Sequence, residues 1–250
     1  MISVQQESTF GAYREGHGWL VLVTASKKEM RYALSTCDLS KLRTGVPFFP
    51  SSLPGLILLA TGLGPINSAL ALGRLLSQGI CFKGVLNLGL AGSFDLDEIG
   101  IGQPALVQTE ICPEYGLRYN DRVDPRGLKW GQGRLGSRVI WERLELEPKS
   151  QAARMGIKLP GQWPLVCSLT VFGVTAERDL ALELQQRHQA QLENMEGFAL
   201  AWACFKSGVP FLEVRAVSNL VGSRKKQHWD MQASLQALAS ILHDLFMGRP

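Results

Sequence analysis

Short runs of consecutive apolar residues recur along this chain, and the stretches between them carry the three-to-four-residue period of amphipathic helices. Residues 19–25 (WLVLVTA) and 56–60 (LILLA) lack the alternation of a half-exposed strand, so both read as strands buried on two faces. The second run ends in Thr61-Gly62-Leu63-Gly64-Pro65. A helical stretch follows, INSALALGRLLSQG, with Pro65 placed for its first turn and Gly79 for its stop. Further strands are expected at 85–88, at 105–109 after Pro104, at 165–171 and at 211–217. Helices are expected at 176–189, at 198–206 before Gly208 and Pro210, and at 227–246. Short apolar strands separated by about a helix length predict an α/β fold. The expected architecture is a single three-layer domain whose twisted, largely parallel (mixed) central sheet is flanked by helices.

Two segments depart from that pattern. Residues 1–17 show no period and read as an N-terminal extension ahead of a domain at 18–248. Residues 116–163 are rich in glycine and carry Arg118, Arg122, Arg126, Arg134 and Arg138. They read as a solvated excursion with one edge strand around 139–146, a substrate lid being the alternative.

Composition narrows the class. Of 250 residues, 46% are hydrophobic and 19% charged, which excludes a disordered or fibrous chain. The net charge of +4 is spread without a long basic run, which argues against a nucleic-acid partner. No run of about 18 apolar residues is present and the first residues lack a leader pattern, so a cytoplasmic protein without a membrane role is expected. Cys37, Cys81, Cys112, Cys167 and Cys204 are widely spaced with no C-x-x-C pair, the usage of reduced thiols. The four histidines (17, 188, 228 and 243) have no metal-ligand spacing, and phosphate-loop, nucleophile-elbow and H-E-x-x-H motifs are absent. Neither a metal nor an organic cofactor is therefore expected. Gly62-Leu63-Gly64 mimics the start of a dinucleotide fingerprint. Asn67 takes the third glycine's place, however, and the strand at 85–88 offers no acid for a ribose, so the turn reads as structural.

Four strings sit just past expected strands or at the opening of a helix: Ala25-Ser26-Lys27-Lys28-Glu29-Met30, Asn87-Leu88-Gly89-Leu90-Ala91-Gly92, Asn194-Met195-Glu196-Gly197 and Arg215-Ala216-Val217-Ser218-Asn219. In open α/β sheets, ligands bind outside the carboxyl ends of the strands, so these strings are expected to converge on one crevice. Each has a local explanation. Glu29 and Glu196 suit the first turn of a helix, and Arg215 and Asn219 can tie up backbone groups at a strand end. Lys27 and Lys28 read as solvated charges. Two glutamates, an arginine and an amide converging beside apolar strands point beyond packing.

These strings, above all M-E-G and R-A-V-S-N in this order and separation, resemble the nucleoside phosphorylase and nucleosidase superfamily from about Trp19 to Phe246. Within it the pattern is similar to the methylthioadenosine/S-adenosylhomocysteine nucleosidases and, in detail, to the futalosine hydrolases of menaquinone biosynthesis. The resemblance implies a nucleoside phosphorylase-like fold, usually in a homo-oligomer, and cleavage of a C–N glycosidic bond in a small nucleoside. By position it puts Glu29 where the nucleosidases hold the water-activating carboxylate, and Ala91 and Gly92 along the sugar and base. Phe172 falls on the residue that stacks on the purine, with the Gly173 backbone at its edge. Met195 and Glu196 fall on the ribose clamp, Arg215 and Ser218 on supporting residues, and Asn219 on the position facing N7 and the 6-substituent.

Two departures set the expected subclass. Adenine-cleaving relatives carry aspartate where this chain has Asn219. An amide donates to a 6-oxo group that a carboxylate would repel, so hypoxanthine is the expected leaving base. A phosphate pocket needs arginines and a hydroxyl, yet Leu90 has none and no arginine lies between Phe82 and Gly100, so water is the expected nucleophile. Futalosine carries an aryl carboxylate beyond its ribose. Arg118, Arg122, Arg224 and Lys225 are candidates to meet it, Arg224 first. His228-Trp229-Asp230 can cap the last helix through Asp230 or border the site. A purine nucleoside phosphorylase and a non-catalytic nucleoside-binding sensor are the competing readings.

Overall fold

A computed structural model describes residues 18–120, 122–225 and 228–246; the expected extension at 1–17 and the end of the expected domain at 247–248 lie outside these. The chain runs β1 (Trp19–Thr24), α1 (Lys27–Ala33), β2 (Leu56–Ala60), α2 (Pro65–Leu76), β3 (Phe82–Ser93) and β4 (Pro104–Ile111). An excursion follows with β5 (Leu117–Arg118), β6 (Val123–Asp124), β7 (Gly133–Leu135), β8 (Arg138–Ile140) and β9 (Arg143–Glu145). The fold resumes with α3 (Pro148–Met155), β10 (Leu165–Thr170), α4 (Arg178–His188), β11 (Leu192–Asn194), α5 (Gly197–Lys206), β12 (Phe211–Leu220) and α6 (Met231–Phe246).

The central sheet has the order β11-β10-β4-β12-β3-β1-β2, with β9 added to β4. The β1–β2, β1–β3, β3–β12, β4–β10 and β10–β11 pairs are parallel, whereas β4–β12, β4–β9 and β3–β11 are antiparallel. The mixed, largely parallel sheet expected from the apolar runs is thus present. Because β11 pairs with β10 on one side and with the end of β3 on the other, β3, β12, β4, β10 and β11 close on themselves. This closure positions the site, since it brings Leu192 and Glu193 opposite Ser93 and Gly92.

Strand side chains alternate between two cores. Val21 and Val23 of β1 pack with Leu72 and Leu75 of α2 and with Phe198 and Leu200 of α5. Leu22 packs on the other face with Met30 of α1, Met155 of α3 and Leu238 of α6. A third cluster, around Phe94, Leu169 and Ala181, lies under α4.

Differences from the expected elements are local. The strand expected at 85–88 extends to twelve residues. The 139–146 edge strand resolves into β8 and β9, and the excursion ends in an unexpected helix, α3. Expected helix bounds at 176–189 contract to Arg178–His188, and β11 is an additional strand that the apolar pattern does not predict. The expected start of the last helix, Gln227, lies outside the described residues; α6 runs from Met231, capped by Asp230, whose Oδ1 accepts the Ala233 N–H at 2.8 Å. Replacing Leu72 by alanine, at the fully buried seam between α2 and the sheet, should cost about 2–5 kcal/mol in denaturant-induced unfolding without changing the denaturant slope.

Candidate active site

Local chain chemistry sets Glu29. Ser26 caps α1: its Oγ accepts the Glu29 N–H at 3.1 Å, while Glu29 Oε2 accepts the Ser26 N–H and Oγ–H, each at 2.7 Å. This is a capping box. It leaves Oε1 to reach across to β3, where it accepts the Leu90 N–H at 3.2 Å. The side chain is therefore both the first-turn acid of a helix and a member of the crevice. Burial pushes the Glu29 carboxyl pKa above its ordinary value; the Glu196 charge adds to this, while the Ser26 hydrogen bonds and Arg215 oppose it.

Glu196 occupies the N-cap position of α5 but makes no cap hydrogen bond with its side chain. Asn194 does that work, its Oδ1 accepting the Glu196 N–H at 2.8 Å and the Gly197 N–H at 2.7 Å. The local explanation of Glu196 as a helix-start acid thus fails. Its freed carboxylate turns inward, with Oε1 accepting the Gly64 N–H at 3.1 Å and Oε2 standing 3.5 Å from Arg215 Nη1. Gly64 presents that N–H from a backbone at φ +87°, with Gly62 at +96°, conformations that favour glycine. The turn that reads as structural in the sequence is part of the site.

Arg215, 1% exposed, lies between the two glutamates. Its Nε donates to Glu213 Oε1 at 2.7 Å, Nη2 to Asn194 Oδ1 at 3.1 Å, and Nη1 to the Leu90 carbonyl at 3.4 Å. These acids hold its proton more tightly than usual, so it stays charged. Gly89 makes the approach possible: a β-carbon there would stand 2.6 Å from Arg215 Nη1 and 3.3 Å from Glu29 Oε1.

Further along β3, Ser218 Oγ donates to the Ala91 carbonyl (3.1 Å) or to Asn219 Oδ1 (2.8 Å), and Asn219 Nδ2 donates to the Leu220 carbonyl at 3.2 Å. Asn219 pairs in register with Gly92, past an irregularity after Val217, and its Nδ2 lies 3.0 Å from where a Gly92 β-carbon would be. From Gly89 to Gly92 is about 10 Å of strand, so Glu29, Glu196, Arg215, Ala91, Gly92, Ser218 and Asn219 fall within one small-molecule length. Phe172 and Gly173 follow β10, whose continuation is tied to the third string by the Val171 N–H on the Asn194 carbonyl at 2.9 Å. The Phe172 ring is 56% exposed, and half-buried Met195 packs toward the α4 cluster. Arg224 is exposed, its guanidinium 5.5 Å from the Trp229 ring centroid, and Trp229 pairs with Asn219 through a β-bridge. Lys27 and Lys28 face solvent. Among the described residues no group of three or more His, Cys, Asp or Glu side chains is arranged to hold a metal ion.

Sequence reasoning passed over Gly64, Gly89, Asn194, Glu110 and Glu213. The last two had a signal, each being the one acid in a strand that the apolar runs predict, or at its end. Asn194 had none beyond its place before M-E-G.

The chain belongs to the phosphorylase superfamily, whose family model matches residues 20–246. It is 35% identical over 194 residues to a futalosine hydrolase of Thermus thermophilus, covering 76% of this chain and 81% of that protein. It is 28% identical over 207 residues to a 5′-methylthioadenosine/S-adenosylhomocysteine nucleosidase of Halalkalibacterium halodurans, covering 80% and 84%. The native structure of a Helicobacter pylori futalosine hydrolase matches with a TM-score of 0.65 over 90% of this chain and 95% of that one; at 16% identity this is a likeness of fold.

Ser26→Ala removes the cap on the Glu29 N–H and the hydroxyl bond to the Glu29 carboxylate together, leaving the Ser26 N–H bond in place. It should lower stability by about 0.5–2 kcal/mol in chemical unfolding. It should also raise the Glu29 pKa further in a side-chain NMR titration, because the Ser26 bonds oppose the shift.

Proposed function

We propose that this protein is an N-glycosidic hydrolase that cleaves futalosine to hypoxanthine and dehypoxanthine futalosine, a step of menaquinone biosynthesis. The observation that carries this reading is the pair of buried carboxylates, Glu29 and Glu196, meeting around Gly89 and Leu90 of β3, with the Asn219 amide on the neighbouring strand β12 opposite Gly92, three residues farther along. Cleavage of such a bond passes through an oxocarbenium-like state, positive on the sugar and negative on the departing base. Glu196, held by the Gly64 N–H, accepts from the ribose hydroxyls and binds more tightly as that charge grows. Glu29 orients and deprotonates a water, its raised pKa making it a stronger base than an ordinary carboxylate. Phe172 offers a largely exposed ring for the flat base, with the Gly173 backbone at its edge and Met195 beside the ribose.

Asn219 spends one of its two N–H groups on Leu220 and its oxygen on Ser218, so one N–H remains for O6 or N7 of a 6-oxopurine. The base then leaves on hydrogen bonds or takes a proton from water, since an amide is no acid. This argues against the 5′-methylthioadenosine reading, whose base presents an amino group there. Phosphorolysis is disfavoured as well. Arg215 is buried and committed to acidic partners, and the acids lining the cleft would repel phosphate. Arg224, stacked on Trp229 beside Asn219, is the cation assigned to the substrate's aryl carboxylate. A homo-oligomer is supported by Leu63, Ile66 and Leu70, an exposed apolar strip next to the Gly64 turn, and a cytoplasmic location by five cysteines that form no disulfide. No cofactor enters this chemistry, and neither nucleic acid nor a membrane is a partner in it.

The test is release of free base from futalosine, aminofutalosine, 5′-methylthioadenosine and inosine, with and without phosphate. Phosphate-independent hypoxanthine release from futalosine is expected; phosphate-dependent release from inosine would support a phosphorylase, and tight binding of intact nucleoside a sensor. Glu29→Gln should abolish turnover while substrate affinity stays within about tenfold. In the wild type, activity should fall with acid at a pH above the ordinary carboxylate range, because the base works only when ionised and its pKa is raised. Asn219→Asp should move the ratio of hypoxanthine to adenine release toward adenine by about 10²-fold, read as kcat/KM on futalosine and 5′-methylthioadenosine.

A further inference from the structure

Beneath the crevice lie two glutamates that this chemistry does not use. Glu110 of β4 and Glu213 of β12 are completely buried. Their carboxyl groups meet under the first residue of α5, since a β-carbon on Gly197 would stand 2.5 Å from Oε1 of each. Two carboxylates this close in an apolar core cannot both be ionised. The surroundings assign the shared proton. Glu213 bonds the Arg215 guanidinium directly at 2.7 Å, whereas Glu110, apart from Glu213 itself, is hydrogen-bonded by the neutral groups Thr170 Oγ1 at 2.5 Å and Asn194 Nδ2 at 2.7 Å and feels Arg215 only through space. Burial and the Glu213 charge push the Glu110 carboxyl well above its ordinary pKa, so it is the neutral acid.

The consequence falls on Arg215. Its short, charge-assisted bond goes to Glu213 at 2.7 Å, and its contact with Glu196 is the longest it makes, at 3.5 Å. Asn194 fixes the arrangement from the centre: it bonds Glu110, receives Arg215 Nη2 and caps the helix that begins beside Glu196. We propose that Glu213, with Glu110 behind it, is a positioning residue that draws Arg215 toward itself and so leaves the Glu196 carboxylate only loosely paired, available to the ribose and the charge developing on it. Without this anchor the guanidinium would close on Glu196 as a two-pronged pair and neutralise it.

The inference rests on the nucleosidase reading, and the wild-type control separates the two: a wild type that releases no base sinks the reading itself. With wild-type turnover established, Glu213→Gln keeps the shape and removes the charge. It should lower kcat on futalosine at least tenfold while KM changes less than about threefold, with the thermal midpoint marking the variant as folded. The acid limb of the pH profile should also move down. Glu29, whose proton sets that limb, faces Glu196 at the start of α5 and Arg215 from β12, with Lys27 and Lys28 of its own helix in solvent. A guanidinium closed on Glu196 screens the charge that raises Glu29. Glu110→Gln, which replaces a neutral group by a neutral group, should lose at least tenfold less kcat than Glu213→Gln. Equal losses in the two variants, or an unmoved acid limb in Glu213→Gln, would overturn the proposal. If Glu213→Gln does not fold, a crystal structure of Glu29→Gln with bound futalosine decides. Arg215 Nε on Glu213 with Nη1 no closer to Glu196 than the present 3.5 Å supports it, and a shorter or bidentate Arg215–Glu196 pair overturns it.

Discussion

A single buried guanidinium organises the functional end of this fold. A charge in a fully enclosed position costs several kcal/mol unless it is paired and its hydrogens are satisfied. Arg215 meets that demand from four directions: Glu213 on its own strand, Asn194 at the end of β11, the Leu90 carbonyl on β3 and Glu196 at the head of α5. The requirement reaches into the backbone. Gly89 must lack a side chain because the guanidinium passes over it, and Gly197 because two carboxyl groups lie against it. Residues whose only property is smallness are thus fixed by a charge some distance along the chain.

Closure of the sheet makes that charge useful. A sheet open at β11 would leave the β10 and β11 ends far from β3 and β12. The antiparallel pairing of β11 with the end of β3 folds them over, so Met195 and Glu196 face the strand that carries Ala91 and Gly92. In the proposed reading, one strand then serves both halves of a nucleoside. Its Leu90 N–H and carbonyl address Glu29 and Arg215, and its Ala91 carbonyl and the bare face of Gly92 address Ser218 and Asn219. Spacing between sugar chemistry and base recognition is set by the rise of a β-strand rather than by loops.

Much of this was legible in the sequence, for identifiable reasons. The strands could be read because burial on both faces demands continuous apolar runs, and four strings at strand ends converged as open-sheet topology requires. The features that escaped depended on partners distant in the chain. Leu192–Asn194 is too short to carry a pattern and is a strand only because β10 and β3 flank it. Of the small strands of the excursion, β8 and β9 fall on the expected edge strand at 139–146, whereas β5, β6 and β7 pair with one another or with β8 and nothing in their composition marks them. Glu196 looked like a helix-start acid, and only the structure reveals that Asn194, two residues earlier, has taken over that role. Gly62-Leu63-Gly64 looked like an ordinary turn because its value lies in one N–H aimed at a residue 132 positions away.

The charges of the cleft, counted together, favour one chemistry. With Glu29 ionised, Glu29, Glu196 and Glu213 contribute three negative charges against one guanidinium, while Glu110 is neutral. Burial raises the pKa of Glu29, and the Glu196 charge adds to it. A phosphate anion entering beside Glu29 and Glu196 meets repulsion, and Arg215, the guanidinium there, is already held by Glu213, Asn194 and Leu90, so the field at that point disfavours a phosphorylase. A neutral nucleoside enters without that cost. The positive charge that grows on its sugar as the glycosidic bond lengthens is the one event that relieves the imbalance. An excess of buried negative charge, which lowers the stability of the resting protein, thereby becomes preferential binding of the transition state.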